Sequence, residues 1–381
     1  MKQRTVRERP FEYLRRMKTN APFPEETVRT WYLARAYVLD RLKNYSLSPY
    51  SDGHLHVVIE GDSPLMLSVL RHVALMAHYP NYVEADPLCQ TPCRNRTVIS
   101  LVSNKAAGDI VAEIEKEEYL CNLPSFCKCT VYGEETNEDS YVDIELEITR
   151  DPGTDPDCIR ICEDDVALFQ EGKNPDEIYS IDTSMAVFVG RSYELGAIVD
   201  NIPYEDIHNV GRYSQALDVF RKIILQDKKD IQLVTDDWKS NLTLVKNGLS
   251  SLYCADCFES RELAVKRTCP DYDRLSGKDR TAVWEKNIQA LSVCEHGRWV
   301  VDKLIFGFRP MSGQQREEFE RMFKVQRKAY CKKLKNNSVS PVHLDIRSHR
   351  DLRRVDPDNL KYDSFLMLAI PLILAKVRSM L

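Results

Sequence analysis

At about Tyr213 the apolar residues of this chain change their spacing, and that change restricts the architectures open to it. Before it, short apolar runs end at turn residues. Residues 54–60 (HLHVVIE) stop at Gly61 and lead into a long apolar helical pattern over 64–79. Residues 96–102 (RTVISLV) form a second buried strand, followed by a polar turn and a helix over 107–118. Residues 127–132 and 141–148 (YVDIELEI) supply two more strands, the latter alternating with period two. A short strand over 177–182 and a helix over 183–201 close this part. The order β-α-β-α-β-β predicts a mostly parallel sheet. After Tyr213 the spacing is helical over 214–225, 237–250, 254–266, 281–307 and 314–335. At the other end, residues 25–42 place Val28, Trp31, Leu33, Ala34, Tyr37, Val38 and Leu42 close to one helical stripe, with Pro24 near the start. The expected fold class is therefore α/β plus all-α. An N-terminal helical arm covers 1–50, an α/β domain 51–205 and a helical domain 206–381.

At 381 residues the chain exceeds what one core usually organises, which agrees with more than one domain. A 43% hydrophobic and 29% charged composition is that of a globular protein, and a net charge of −5 argues against a nucleic-acid coat. The four basic residues among the first ten are not followed by an apolar segment, so no secretory signal is read and a cytoplasmic location is expected. The most apolar run, 365–375, contains Pro371 and falls short of the ~20 residues a membrane helix needs, so it is expected to be a buried terminal helix. Among 12 cysteines only Cys254 and Cys257 have C-x-x-C spacing, and no second half of a zinc site accompanies them. Reduced thiols and no metal are expected. Residues 134–165 hold thirteen acids against two arginines, a composition expected of an exposed loop rather than a calcium site.

The turn after the first strand reads Gly61-Asp62-Ser63-Pro64-Leu65-Met66. A dinucleotide turn uses three glycines to bring backbone against a pyrophosphate; only the first is present, and Asp62 puts a negative charge at that place. Ser103 and Asn104 stand where an acid would take the ribose hydroxyls. Over residues ~54–200 the chain resembles, in degenerate form, the nucleotide-binding domain of potassium-uptake regulators. The resemblance implies a Rossmann-like fold, with Gly61, Ser63 and Asn104 as the cofactor contacts if a nucleotide is held. The alternative is a scaffold or interface role.

Near the C-terminal end, Cys294-Glu295-His296-Gly297-Arg298-Trp299 is followed by His343-Leu344-Asp345-Ile346 and Tyr362-Asp363. These residues, with Gly307-Phe308 and the run to Pro371, resemble the small helical domain repeated in ryanodine receptors, over about 285–375. Trp238, Ser240 and Asn241 are read as the opening of a helix belonging to the same region. The segment 311–342 is longer than the loop of the channel repeats and carries a helix of its own. On a helix, Glu295 and Arg298 share a face, while His296, Trp299 and Lys303 lie along an adjacent one. The first pair either pins a ligand group or locks the fold. Trp299 offers a stacking plane and His296 both a donor and an acceptor, which suits a planar heterocycle such as adenine. Asp363 is expected at the start of the last helix, as a cap. His343 and Asp345 could serve acid–base chemistry or a metal, but no partner carboxylate has suitable spacing. Residues 324–335 carry six basic side chains in twelve, read as a solvated helix face.

No nucleophile, metal set or intact phosphate turn completes a reaction around these residues. The expectation is a non-catalytic ligand-sensing or regulatory adaptor. Its ligand would be small and anionic or nucleotide-like, taken by Glu295, His296, Arg298, Trp299, His343, Asp345 and Asp363. A protein partner or a second copy is the complementary expectation for the α/β half, with nucleic acid and a membrane span not expected. The competing readings are a nucleotide-dependent oxidoreductase or nucleotide-processing enzyme using the Gly61 turn, and a structural assembly component.

Overall fold

The computed structural model describes residues 7–8; 25–194 apart from 87, 117–121, 138–141, 154, 180 and 183; 217–218; 221; 242–337; and 340–379. The helix start expected at 238–241, most of the helix over 214–225 and most of residues 1–24 lie outside them.

A six-stranded, mostly parallel sheet is combined with helices. Its strands are β1 (His56–Glu60), β2 (Thr97–Val102), β3 (Lys128–Val131), β4 (Glu134–Asn137), β5 (Ile144–Thr149) and β6 (Ile159–Cys162), in the order β4-β3-β5-β2-β1-β6. All neighbours are parallel except the β3–β4 hairpin at the edge. Val57 and Ile59 are fully buried in the main apolar core on the face covered by the helix over Pro64–Met76, while Val58, also fully buried, lies on the other face in one row with Ser100 and Glu147. The acidic stretch is therefore not a single exposed loop. In β5 the residues Ile144, Leu146 and Ile148 point into the core and the intervening Glu145 and Glu147 point outward. There Glu145 pairs with Lys128 at 2.8 Å and Glu147 accepts the Ser100 hydroxyl at 2.6 Å. Period two, rather than net composition, decides the structure of that segment.

Helix α1 (Glu25–Leu42) packs on α2 (Pro64–Met76), which starts at the Ser63 cap with Pro64 in its first position. Every residue of α2 from Met66 to Met76 is buried, the signature of a helix enclosed on all sides. Further on come α3 (Ala107–Lys116), α4 (Glu163–Glu171) and α5 (Ser184–Glu194). The strand expected over 177–182 is only Ile181–Asp182, which pairs with Arg7–Glu8. Asn174 caps a short helical turn, Pro175–Ile178, by accepting the Asp176 amide at 3.0 Å, and that turn takes the preceding residues.

The helical half comprises α6 (Leu242–Asp256), α7 (Phe258–Lys266), α8 (Gly277–Ile305), α9 (Gly313–Arg321), α10 (Lys324–Lys335), α11 (His349–Val355) and α12 (Pro357–Arg378). The helix expected over 314–335 breaks at Met322–Phe323. Arg327 reaches back there, donating to the Met322 and Glu320 carbonyls at 3.1 and 3.0 Å, and so closes the end of α9. Beneath α9 and α10 lies a separate small core of Met311, Phe319, Val342 and Leu344. The long helices α8 and α12 pack along each other, and α8 also rests on α2. One continuous apolar cluster runs from Trp31 through the sheet to Val377, joining both halves. None of the described helices is long and apolar enough to cross a membrane. The C-x-x-C thiols are buried and unbridged, and burial pushes the Cys257 thiol up to about 11, so they are inert.

Candidate functional site

Successive residues of a helix point about 100° apart, and that rotation divides Glu295-His296-Gly297-Arg298-Trp299 among three environments. Glu295 and Arg298 turn into the core and are both fully buried. Arg298 donates to the Glu295 carboxylate from Nε at 2.9 and 3.0 Å and from Nη2 at 2.8 Å, and Arg261 approaches its other side at 3.4 Å. Burial by itself would raise the Glu295 pKa, but the Arg298 guanidinium outweighs it and holds the group below its usual value. These two residues lock the fold; they do not line the cavity described below.

Gly297 turns to the sheet half. His78 contacts Asp143 through Nδ1 at 2.6 Å and the Ala74 carbonyl through Nε2 at 2.8 Å, and Arg261 donates to the His78 carbonyl at 3.0 Å. A Cβ on Gly297 would stand 2.9 Å from the Asp143 carboxyl carbon and 3.2 Å from Oδ2. The glycine is what lets α8 come this close to the sheet half.

His296 and Trp299 face a cavity of about 230 Å³ that is also lined by Asp345, Leu352, Asn359, Tyr362 and Asp363. The two rings stack on each other, with centroids 6.0 Å apart and planes 16° from parallel. Lys303 sits 5.3 Å over the indole and the edge of His343 meets it at 4.9 Å. His296 Nε2 bonds the Arg347 carbonyl at 2.9 Å, and Nδ1 faces Asp363 at 3.5 Å. Burial alone would lower the His296 pKa; the Asp363 carboxylate, the carbonyl and the charge of Glu84 together raise it. Asp363 is not a helix cap, because α12 starts at Pro357 and puts Asp363 in the second turn, buried against His296.

Asn359 Nδ2 donates to both oxygens of Asp345 at 3.1 Å. Burial raises the pKa of Asp345 and of Asp363. His343 stands behind Trp299. Its Nδ1 accepts the Asp345 amide at 3.2 Å, and burial drives its pKa well below the usual value, so it is a neutral ring that supports the indole. Among the described residues no group of three His, Cys, Asp or Glu is placed to hold a metal ion.

Sequence reasoning missed Asn359, Leu352 and Glu84. Asn359 stands three and four residues before Tyr362 and Asp363, so helical spacing could have shown it. Glu84, which accepts the His349 and Arg350 amides at 2.6 and 2.9 Å and so caps α11, carries no such signal.

Gly61, Ser63 and Asn104 lie apart from this cavity, at the carboxyl ends of β1 and β2. Gly61 has φ of +115°, a conformation that suits glycine. The pocket a phosphate would need holds the chain's own carboxylates. Asp62 is bonded by the Ser103 hydroxyl and pairs with Lys105 at 3.1 Å, and the Ser63 hydroxyl donates to Glu163 from the start of α4. Despite partial burial, these partners hold the Asp62 pKa below its usual value. Asn104 is exposed.

The histidines predict how stability depends on pH. His349 is buried and its pKa is lowered to about 3, so its contribution is complete above the unfolded value and is lost as pH falls below about 6.5. His343 acts in the same direction. His296, with its raised pKa, acts oppositely, adding stability at low pH that is lost on raising the pH through its folded value. His72, also driven well below its usual value by burial, acts with His343 and His349, so three oppose one and stability is expected to fall on acidification, His349 alone accounting for roughly 1 kcal/mol near pH 5.5. Urea unfolding at about pH 7.5 and about pH 5.5, on either side of the unfolded histidine value, checks this. Equal stability at the two, or an unchanged difference in His349→Gln, contradicts it.

No family model, curated protein or solved structure matches the chain.

Proposed function

We propose that this protein is a ligand-sensing or regulatory adaptor with no catalytic step. In this reading its helical half is a ryanodine-receptor-like domain that binds a planar, nucleotide-like ligand, and its Rossmann-like half couples binding to a partner. The observation that carries the reading is the His296–Trp299 stack at the edge of the 230 Å³ cavity, opposite Asp345, Asn359 and Asp363. A base-sized heterocycle gains stacking from Trp299 and Tyr362 and gives its N–H edge to the carboxylates of Asp345 and Asp363. A simple anion would meet those carboxylates and be repelled, so the base portion rather than a phosphate belongs here. The filled turn at Asp62 and Ser63 offers no support for a nucleotide-dependent enzyme.

Calorimetry and thermal shift against guanosine, adenosine, cytidine and their nucleotides test the reading. Saturable binding is expected for a base with a donor edge. Trp299→Ala should weaken it by roughly 5- to 150-fold, the equivalent of about 1–3 kcal/mol for a stacked base. The reading fails if no probe binds, or if folded His296→Ala and Trp299→Ala proteins bind as well as the parent.

A further inference from the structure

A second cavity, of about 320 Å³, lies at the opposite end of the α8–α12 pair, between the amino end of α8 and the carboxyl end of α12. Trp284 at its floor and Trp299 at the first cavity are fifteen residues apart on one helix, about 22 Å along its axis. The volume falls in the range of ~300–1,000 Å³ typical of small-molecule sites.

Its walls are of two kinds. One side carries Arg221, Lys266, Arg280 and Arg378 against Glu262 and Asp273, and Arg221 is itself paired with Asp218 at 3.0 Å, so Arg280 is the lining cation without a carboxylate partner among the described residues. The two carboxylates are already engaged: Asp273 by Lys266 at 2.9 Å, and Glu262 by both terminal nitrogens of Arg378 at 3.1 and 2.7 Å. The Arg280 Nη2 donates to the Asp273 carbonyl at 2.5 Å, while its buried Nε finds no acceptor among the described residues. Lys266 and Arg280 both lie over the ring of Tyr272, whose hydroxyl is bonded by the Trp284 indole at 2.6 Å, so an aromatic support holds the cations at the cavity. The opposite wall is apolar. It is formed by Leu368, Pro371, Leu372 and Ala375 of α12, with Pro371 and Leu372 half-buried and Ala375 exposed. A cation without a carboxylate partner, an unused buried donor and an apolar wall share one cavity.

We propose that this cavity is a binding site for an organic anion, a carboxylate or phosphate head on an apolar body. The head lies between Lys266 and Arg280, taking the free Arg280 Nε–H, and the body lies along Pro371, Leu372 and Ala375. The site is separate from the His296–Trp299 cavity and has the opposite charge preference.

Calorimetry on the full chain tests it, with decanoate and octyl phosphate below their micellar range, decylamine as the cation of like shape, and inorganic phosphate as the head alone. Saturable binding of decanoate or octyl phosphate is expected, at least tenfold tighter than of decylamine or inorganic phosphate. Arg280→Glu and Lys266→Glu are expected to weaken it at least tenfold. Ala375→Phe, which fills the apolar side without touching a charge, is expected to abolish it with the thermal midpoint retained, and Trp299→Ala to leave it unchanged. Absence of saturable binding, equal binding of decylamine or inorganic phosphate, or full binding by folded Ala375→Phe overturns the proposal.

Discussion

Replacing Glu295 with leucine is expected to lower folding stability by on the order of 3–5 kcal/mol in denaturant unfolding, one of the largest effects of any single substitution in this chain. Leucine fits the space, so the loss is not a packing defect. It arises because Arg298 and Arg261 are buried at 0% and 2% exposure and would lose the carboxylate that both face. Arg298 already has Nη1 without an acceptor among the described residues, and the two other carboxylates whose charge it feels are engaged elsewhere, Asp302 by Ser250 and Lys303 and Asp256 by Arg35. The double replacement Glu295→Leu with Arg298→Met removes the more deeply buried of the two stranded charges together with its partner, leaving Arg261 its bonds to the His78 carbonyl and the Cys294 sulfur. It should recover much of the loss, since an apolar pair of similar volume avoids the desolvation that the ion pair carries. A neutral single replacement, or a double replacement no better than the single, would show that the Glu295–Arg298 pair is not what holds this part of the core.

Gly297→Ala is expected to destabilise, although alanine is the better helix former by about 1 kcal/mol. The added methyl would press on the carboxyl group of Asp143, which is buried at 2% exposure and held by His78. Neither α8 nor the carboxylate can move away without breaking the His78 contact or the Arg261 bonds beside it. Overpacking of this kind costs about 1–3 kcal/mol and exceeds the helix preference. Because the clash is with one side chain, it has a specific suppressor. In an Asp143→Ala background, itself weakened by loss of the His78 partner, Gly297→Ala should cost nothing further or add stability. Independent, additive costs in that double-mutant cycle would falsify the assigned contact.

Both predictions concern a five-residue segment that was readable as important but not as divided. Helical spacing correctly grouped Glu295 with Arg298 and His296 with Trp299. It could not say which pair meets a cavity, since that depends on whether α2, the Arg347 segment or α12 covers each face. Glu295 and Arg298, expected at the ligand, are structural for this reason, whereas Asp345 and Asp363 do line the cavity. His343 stands one layer behind, supporting the indole. Asn359 has helical spacing to Tyr362 and Asp363, and it joins them on the cavity face because α12 starts at Pro357 rather than at Tyr362. The acidic stretch shows the reverse error, in which composition suggested a loop while the alternation in Ile144–Thr149 had already specified a strand.

What the sequence by itself determined is local. Apolar periodicity set β1, β2, β3 and β5 and the helices α1, α2 and α8, though not β4, β6 or α4, and the Ser63-Pro64 cap set the start of α2, because these depend on neighbours within a few residues along the chain. What only the tertiary structure decided is which groups share a space: Gly297 with Asp143, His296 with Asp363, and Ser63 with Glu163. Each pair joins residues dozens to more than a hundred positions apart. Their burial and charge balance, and so the difference between a locked network and an open site, are set by the packing of whole elements, which no local pattern encodes.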